Sequence, residues 1–388
     1  MKKRDFLKII GGGAVLAATP GCTVLQPTPS RALAPWLAAG TAYTEPRRRA
    51  LSYAILCPNP HNRQPWQVDL SVDDQVTLHV DPERQLPATD PYSRQITIGL
   101  GCFVELMVLA AAADGYAVSI TPFPEGSDTT GMLDERPVAL ATFRPDSTLV
   151  PDPLFASVME RRSLKEPFDT GRAVSPGVID VARRAAVHGS RVGGSVEPDS
   201  IETLRTLTSE ALIVEFETPR TYQESVDLFR IGKREVEANP DGIDFSGRTF
   251  ELLAGLGLFS REAASDRDSS AYRQGKEAVL ASTETAMGHL WSVTATNTRV
   301  DQLDAGRDWM RIHLATTPTG VALHPISQAL QEFPEMAAHY RQVHELLAPE
   351  GGTVQMLARL GYGESVPPSP RWSLEAVIAG SDVPESVA

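Results

Sequence analysis

The chain has 388 residues, enough for one large core or two domains, and its 42% hydrophobic and 22% charged residues are those of an ordinary globular protein. Its 36 Lys+Arg against 49 Asp+Glu leave a formal charge of −13, spread along the chain, which argues against a nucleic-acid partner because phosphate binding needs a basic patch. The three cysteines, Cys22, Cys57 and Cys102, have no metal-ligand spacing and no paired framework, so Cys57 and Cys102 are expected to be buried thiols.

The N-terminus is basic up to Lys8 and then apolar from Ile9 to Ala18, a run too short to span a membrane comfortably. It is expected to be an export signal over residues 1–34, and the protein to be exported to the periplasm or cell envelope. Lys3-Arg4-Asp5-Phe6-Leu7-Lys8 resembles the twin-arginine pattern with lysine in the first arginine position. Cys22 after Thr19-Pro20-Gly21 is a candidate lipid anchor, and Ala32-Leu33-Ala34 offers an ordinary cleavage site. Residues 23–45, rich in Pro, Thr and Ala, read as a tether.

Apolar residues at helical spacing from Arg47 predict a helix that delivers the chain into Cys57–Trp66. In that stretch Pro58, Pro60 and Pro65 bar both helix and central strand, while Asn59, His61, Asn62, Arg63 and Gln64 give it the polar density of a binding loop. Alternation over 68–72 and 76–80 predicts a β-hairpin, and the nearly all-apolar 98–115 a helix buried on most sides and capped by Gly115. Extended 116–122 and 138–143 close a first unit, 35–150.

A second unit, 151–388, opens with a predicted helix over 154–168 that carries Arg161-Arg162-Ser163-Leu164-Lys165-Glu166-Pro167-Phe168. Helices are expected over 201–216, 222–238, about 271–295 and 327–347. Between them, the apolar and Gly-rich 241–270 reads as a lid over a cavity. Gly306 to Gly320 repeats the spacing of Gly101 to Gly115, which suggests an internal repeat.

Three segments together carry a resemblance: Pro58-Asn59-Pro60-His61-Asn62-Arg63-Gln64-Pro65-Trp66, Arg161-Arg162-Ser163-Leu164-Lys165, and Leu360-Gly361-Tyr362-Gly363-Glu364 with Pro370-Arg371. In them the chain resembles the FMN-dependent nitroreductase superfamily, among its branches the twin-arginine-exported and Acg-like proteins. The resemblance implies an α+β fold in which two subunits share FMN. Here the Asn-x-Gln-Pro-Trp loop lies in the first half and the Arg-Arg-Ser motif in the second. That order implies two diverged nitroreductase-like halves fused in one chain, a pseudo-dimer with one composite flavin site.

By the same resemblance Arg161, Arg162, Ser163 and Arg371 would hold the FMN phosphate, and Lys165 would sit by the N1/O2 edge of the flavin. Pro58, Asn59, Pro60 and Asn62 would line the ring edge, and Pro325, Ile326, Ser327 and Gln328 would run along the ring. Gln64 and Trp66 would support the loop. The implied activity is hydride transfer from a small-molecule donor to flavin N5, then to an acceptor such as a nitroaromatic or quinone. The alternatives are a non-catalytic flavin-sequestering protein or a degenerate homologue without flavin. Dinucleotide-fold, P-loop, zincin and Gly-x-Ser-x-Gly motifs do not occur.

Overall fold

The computed structural model describes residues 31–379. The expected export segment up to residue 30, with Cys22, lies outside the described residues. A short helix, α1 (Ala34–Ala38), comes first, and Trp36 and Ala39 are buried. Residues 31–45 are therefore packed body and not the tether their composition suggested, because Ala32, the Trp36 indole and Ala39 are buried against the fold. Helix α2 (Pro46–Ala54) starts at a proline after Glu45, whose carboxylate accepts the Arg48 amide.

After the Cys57–Pro65 loop, β1 (Trp66–Asp69) and β2 (Gln75–Val80) form the expected antiparallel hairpin. Half-buried and buried residues alternate along β2, the period-2 pattern of a strand with one face on the core. Helix α3 (Arg94–Ala113) is almost wholly buried, and Gly115, at φ +77, turns the chain into β3 (Tyr116–Pro122). With β4 (Ala139–Pro145) these strands make a sheet of order β1-β2-β4-β3.

The second half departs from expectation at its start. Only Pro153–Ser157 is helical, as a 3-10 turn capped by Asp152, and Arg161–Phe168 is extended. Two distant partners hold it so: Ser163 bridges in parallel to Leu323, and Arg359 binds the carbonyls of Leu164, Lys165 and Glu166. Pro167 adds a local bar to helix.

Helix α4 (Gly177–Ala185) leads to β5 (Arg191–Ser195) and the long α5 (Pro198–Glu217). The helix expected over 222–238 is split into α6 (Pro219–Asp227) and α7 (Gly232–Ala238), because β6 (Phe229–Ile231) pairs in parallel with β7 (Ile243–Phe245).

The 241–270 excursion goes on through α8 (Arg248–Gly255) and α9 (Arg261–Ser265). Its Phe245, Phe250 and Phe259 pack with Phe229, whereas Leu252, Leu256 and Leu258 are exposed. Helix α10 (Ser270–Thr283) stops well short of residue 295, and β8 (Gly288–Thr294) takes the remainder. Then follow α11 (Arg299–Thr316), β9 (Ala322–Pro325), two 3-10 turns, α12 (Ala337–Leu347) and β10 (Thr353–Gly361). The helix expected over 327–347 thus begins only at Ala337, after Pro334.

The second sheet has the order β5-β8-β10-β9, antiparallel like the first. In both sheets a long buried helix joins the second strand to the third, α3 in one and α11 in the other. These two helices pack together through their glycines. A methyl on Gly101 would lie 2.0 Å from the Leu303 carbonyl oxygen, and one on Gly306 would lie 2.0 Å from that of Ile98. Each helix begins with a fully buried arginine. Arg94 of α3 donates to Leu330 and Gln355 carbonyls in the second half, and Arg299 of α11 to Tyr92, Asp128 and Gly131 carbonyls in the first.

Candidate flavin site

The Cys57–Trp66 loop is a built structure. His61, Asn62 and Gln64 take left-handed φ values of 49, 51 and 52°, a conformation that costs a non-glycine residue about 1–3 kcal/mol unless its surroundings enforce it. The enforcement is visible. Asn59 Oδ1 accepts the Gln64 amide at 2.7 Å, and buried Gln64 donates to the Pro240 carbonyl at 2.7 Å and accepts the Trp372 amide at 2.9 Å. Asn62 donates to Pro370 O at 3.1 Å, and Trp66 is buried in the core. Asn59 and Asn62 thus spend their side chains on bracing the loop.

The loop's first carbonyls face two buried guanidinium groups. Arg161 donates to Leu56 O at 3.1 Å, and Arg371 to Leu56 O at 3.2 Å, Cys57 O at 3.0 Å and the Asn62 side-chain oxygen. The Arg371 Nε is buried and has no partner. Among the described residues no carboxylate pairs with either arginine. Burial pushes Arg161 down to about 10 with slight relief from the Cys57 thiol, while Arg371 is pushed to about 9 by burial and then by Arg161 itself. Two adjacent cations held only by carbonyls, with one donor spare, are a charge arrangement that an oxyanion completes. A phosphate fits this donor set. Arg162, half-buried, donates to Met159 O and lies over the Trp36 ring at 4.8 Å.

Lys165 is exposed and His61 and His324 are half-buried, and the Lys165 charge acts on both rings, which groups the three together beside the loop. Burial pushes the Lys165 ammonium down, opposed by Glu166 and by Asp244 of β7. His61 is pushed down to about 4 by burial, then by Lys165 and Arg63, so it is neutral. His324 is held well below the usual histidine range by burial and by Arg359. Arg359 Nε donates to His324 Nδ1 at 2.9 Å, so a neutral His324 carries its proton on Nε2.

Of the expected residues, Pro58, Pro60 and Ser327 keep accessible surface at the loop and after β9, and Pro325 pairs with Ala358 in the sheet. Ile326 is buried in the core beneath, its amide bound to Leu357 O. The sequence reading missed Trp36, His61, His324, Asp244 and Arg359 as site residues. Only His61 carried a signal, its place inside the loop.

The class of protein that the chain is similar to is that of nitroreductase-like proteins. It is 25% identical over 344 residues, 85% of this chain and 90% of the relative, to the "Putative NAD(P)H nitroreductase Rv3131" of Mycobacterium tuberculosis. A segment of 85 residues, 22% of this chain, is 33% identical to 25% of the "Putative NAD(P)H nitroreductase acg" of the same organism. No family model matches the chain. Among solved structures, the FMN-dependent nitroreductase NfnB from Mycobacterium smegmatis in complex with NADPH aligns over 54% of this chain and 86% of its own at 17% identity. Its TM-score of 0.32 is too low to bear on this fold.

Proposed function

We propose that this protein is an exported FMN-dependent oxidoreductase of nitroreductase type, built as two diverged halves around one composite flavin site. The observation that carries the reading is the buried Arg161–Arg371 pair, which lacks a carboxylate and faces the loop of the other half. Support for the pseudo-dimer comes from the equal strand orders of the two sheets and from the reciprocal reach of Arg94 and Arg299. FMN, when bound, would supply the hydride-accepting and hydride-donating centre.

The chain's residues have separable tasks. Arg161 and Arg371 would neutralise the phosphate, a charge-assisted contact that guanidinium geometry favours. Lys165 would place a positive charge beside the ring, where it would favour an anionic reduced state. Arg359 fixes the Lys165 backbone and, by donating to Nδ1, holds a neutral His324 with its proton on Nε2, where it would serve as a hydrogen-bond donor. The electron donor would be NAD(P)H or another small reductant, and the acceptor a nitroaromatic or quinone. Of the expected export signal, residues 1–34, the last four belong to the packed body, so the signal would lie in the segment before them, with Cys22 a lipid-anchor candidate.

The test is the visible absorption spectrum of purified protein refolded with excess FMN and then desalted. A retained flavin band is expected, and a colourless protein contradicts the reading. A second reading, flavin sequestration, is favoured by the start of the excursion. There the Gly242 amide donates to Asn62 O at 3.2 Å and the Pro240 carbonyl is tied to Gln64, closing this segment over the loop. Reduction of bound flavin by NAD(P)H, with reoxidation by a nitro compound, argues for the enzyme; resistance to both argues for storage.

A further inference from the structure

The excursion is apolar on two faces, and the protein's own core uses only one of them. Phe245, Phe250 and Phe259 pack around Phe229. On the other side Leu252 and Leu256, one helical turn apart in α8, are 62 and 63% exposed, and Leu258 just beyond the helix is 60% exposed. From Leu252 to Phe259 the chain reads Leu-Leu-Ala-Gly-Leu-Gly-Leu-Phe, without one polar side chain. Among the described residues, a methyl added to Gly255 or Gly257 would meet nothing within 4 Å, so the backbone between the leucines is open as well. The charged residues at either end are engaged with protein groups. The Glu251 carboxylate accepts the Lys233 amide at 3.1 Å, and Arg261 binds Glu235 and the Phe229 carbonyl. Single exposed leucines are ordinary, but three in one uncharged stretch mark a surface that meets a partner.

The point where the chain enters the described body bears on what that partner is. Arg31 and Ala32 donate their amides to Glu237 near the end of α7, at 3.0 and 3.2 Å, and Lys233 near its start is the residue tied to Glu251 of α8. These two ties are only about 6 Å apart along the helix axis. Cys22, the lipid-anchor candidate, precedes Arg31 by a stretch that reaches about 30 Å when fully extended. We infer that Leu252, Leu256 and Leu258 dock on the surface of the membrane to which that anchor is fixed, with the leucines at the boundary of headgroups and acyl chains. The inference rests on the export and anchor reading above. An anchor fixes distance but not orientation, and the patch decides which face of the protein meets the lipid. The tether also makes the contact intramolecular, so a patch too small to hold the protein by itself suffices once the chain is anchored.

The experiment couples full-length protein through Cys22 to a maleimide-bearing phospholipid in vesicles of phosphatidylethanolamine and phosphatidylglycerol. Cys57 and Cys102 are buried and do not compete. Amide hydrogen exchange of 252–259 is then compared between vesicle-coupled and free protein by mass spectrometry. Exchange is expected to slow by about tenfold or more on the vesicle, and this protection to vanish when Leu252→Ser, Leu256→Ser and Leu258→Ser are combined. Leu256→Ser alone, which serves should the triple variant misfold, is expected to reduce the protection in the same direction. Unchanged exchange of 252–259 in coupled wild-type protein overturns the inference. So does protection that appears in free protein as its concentration is raised, which assigns the patch to a second copy of the chain. A chain from its native host without lipid on Cys22 overturns the anchor reading, which the exchange measurement, with its anchor supplied by chemistry, does not test.

Discussion

Two clusters of arginine cross between the halves of this molecule, and they differ in what balances them. Around Glu105, Arg307 and Arg311 lie at 3.0 and 2.9 Å and His188 at 3.0 Å, and Arg311 also meets Asp152 at 2.7 Å. Burial alone would raise the Glu105 carboxyl, but His188, Arg307 and Arg311 hold it down at about 2. Around Leu56 and Cys57, Arg161 and Arg371 are more deeply buried but have only carbonyl and amide oxygens. A neutralised cluster is a structural joint. An unneutralised one costs folding free energy that a bound anion would offset, and that contrast is the ground on which the second cluster is proposed as the site.

The contrast is broken most directly at the joint. Glu105→Gln removes the buried carboxylate that Arg307, Arg311 and His188 share, leaving Arg307 with Asp304 and Arg311 with Asp152, and is expected to cost about 1–3 kcal/mol, read as a fall in the denaturation midpoint. Because the folded carboxyl sits near 2 rather than its ordinary 4.5, its contribution is present above pH 4.5 and is lost as pH falls toward 2. The variant's stability should therefore converge with wild type in that acid range.

The opposite behaviour is expected at the site. Arg161→Ala should weaken FMN binding by about a hundredfold, ~2.7 kcal/mol, measured by titration. Its stability without flavin should stay within about 1 kcal/mol of wild type or rise above it, since a buried unpaired cation is removed. A loss of stability as large as that of Glu105→Gln would erase the distinction between the clusters.

Two further effects sharpen it. Burial pushes Glu215 of α5 up to about 7 from 4.5, so between those values the folded protein holds a proton that the unfolded chain has released. Stability then falls as pH rises through this window. Glu215→Gln should match wild type near pH 4.5 and exceed it by about 3 kcal/mol above pH 7, in paired denaturation curves. Gly101→Ala and Gly306→Ala each force a methyl against a facing carbonyl, and each should cost about 1–3 kcal/mol. Markedly unequal losses would argue against the equivalence of the two helices.

Much of the scaffold was legible because its signals are local. The hairpin shows in the alternation of 76–80, α3 in its apolar run, and the helix pair in the equal spacing of Gly101–Gly115 and Gly306–Gly320. The site was less so. Arg161–Phe168 has helical composition, yet Leu323 and Arg359, far along the chain, hold it extended. Trp36 lies in a stretch whose composition indicates a tether, and His324 is one of several scattered histidines until Arg359 is seen bound to its ring. The apolar residues of 241–270 indicated burial. Only part of them pack inward, the phenylalanines around Phe229, and no periodicity separates these from the exposed leucines.

The account rests on Arg161 and Arg371 being the phosphate end of a flavin site. The most direct measurement compares the affinities of FMN and riboflavin for the wild-type protein and for Arg371→Ala. The account predicts that wild type prefers FMN by about a hundredfold and that the preference largely disappears in the variant, with riboflavin affinity unchanged. Equal affinities for FMN and riboflavin in the wild type would contradict it.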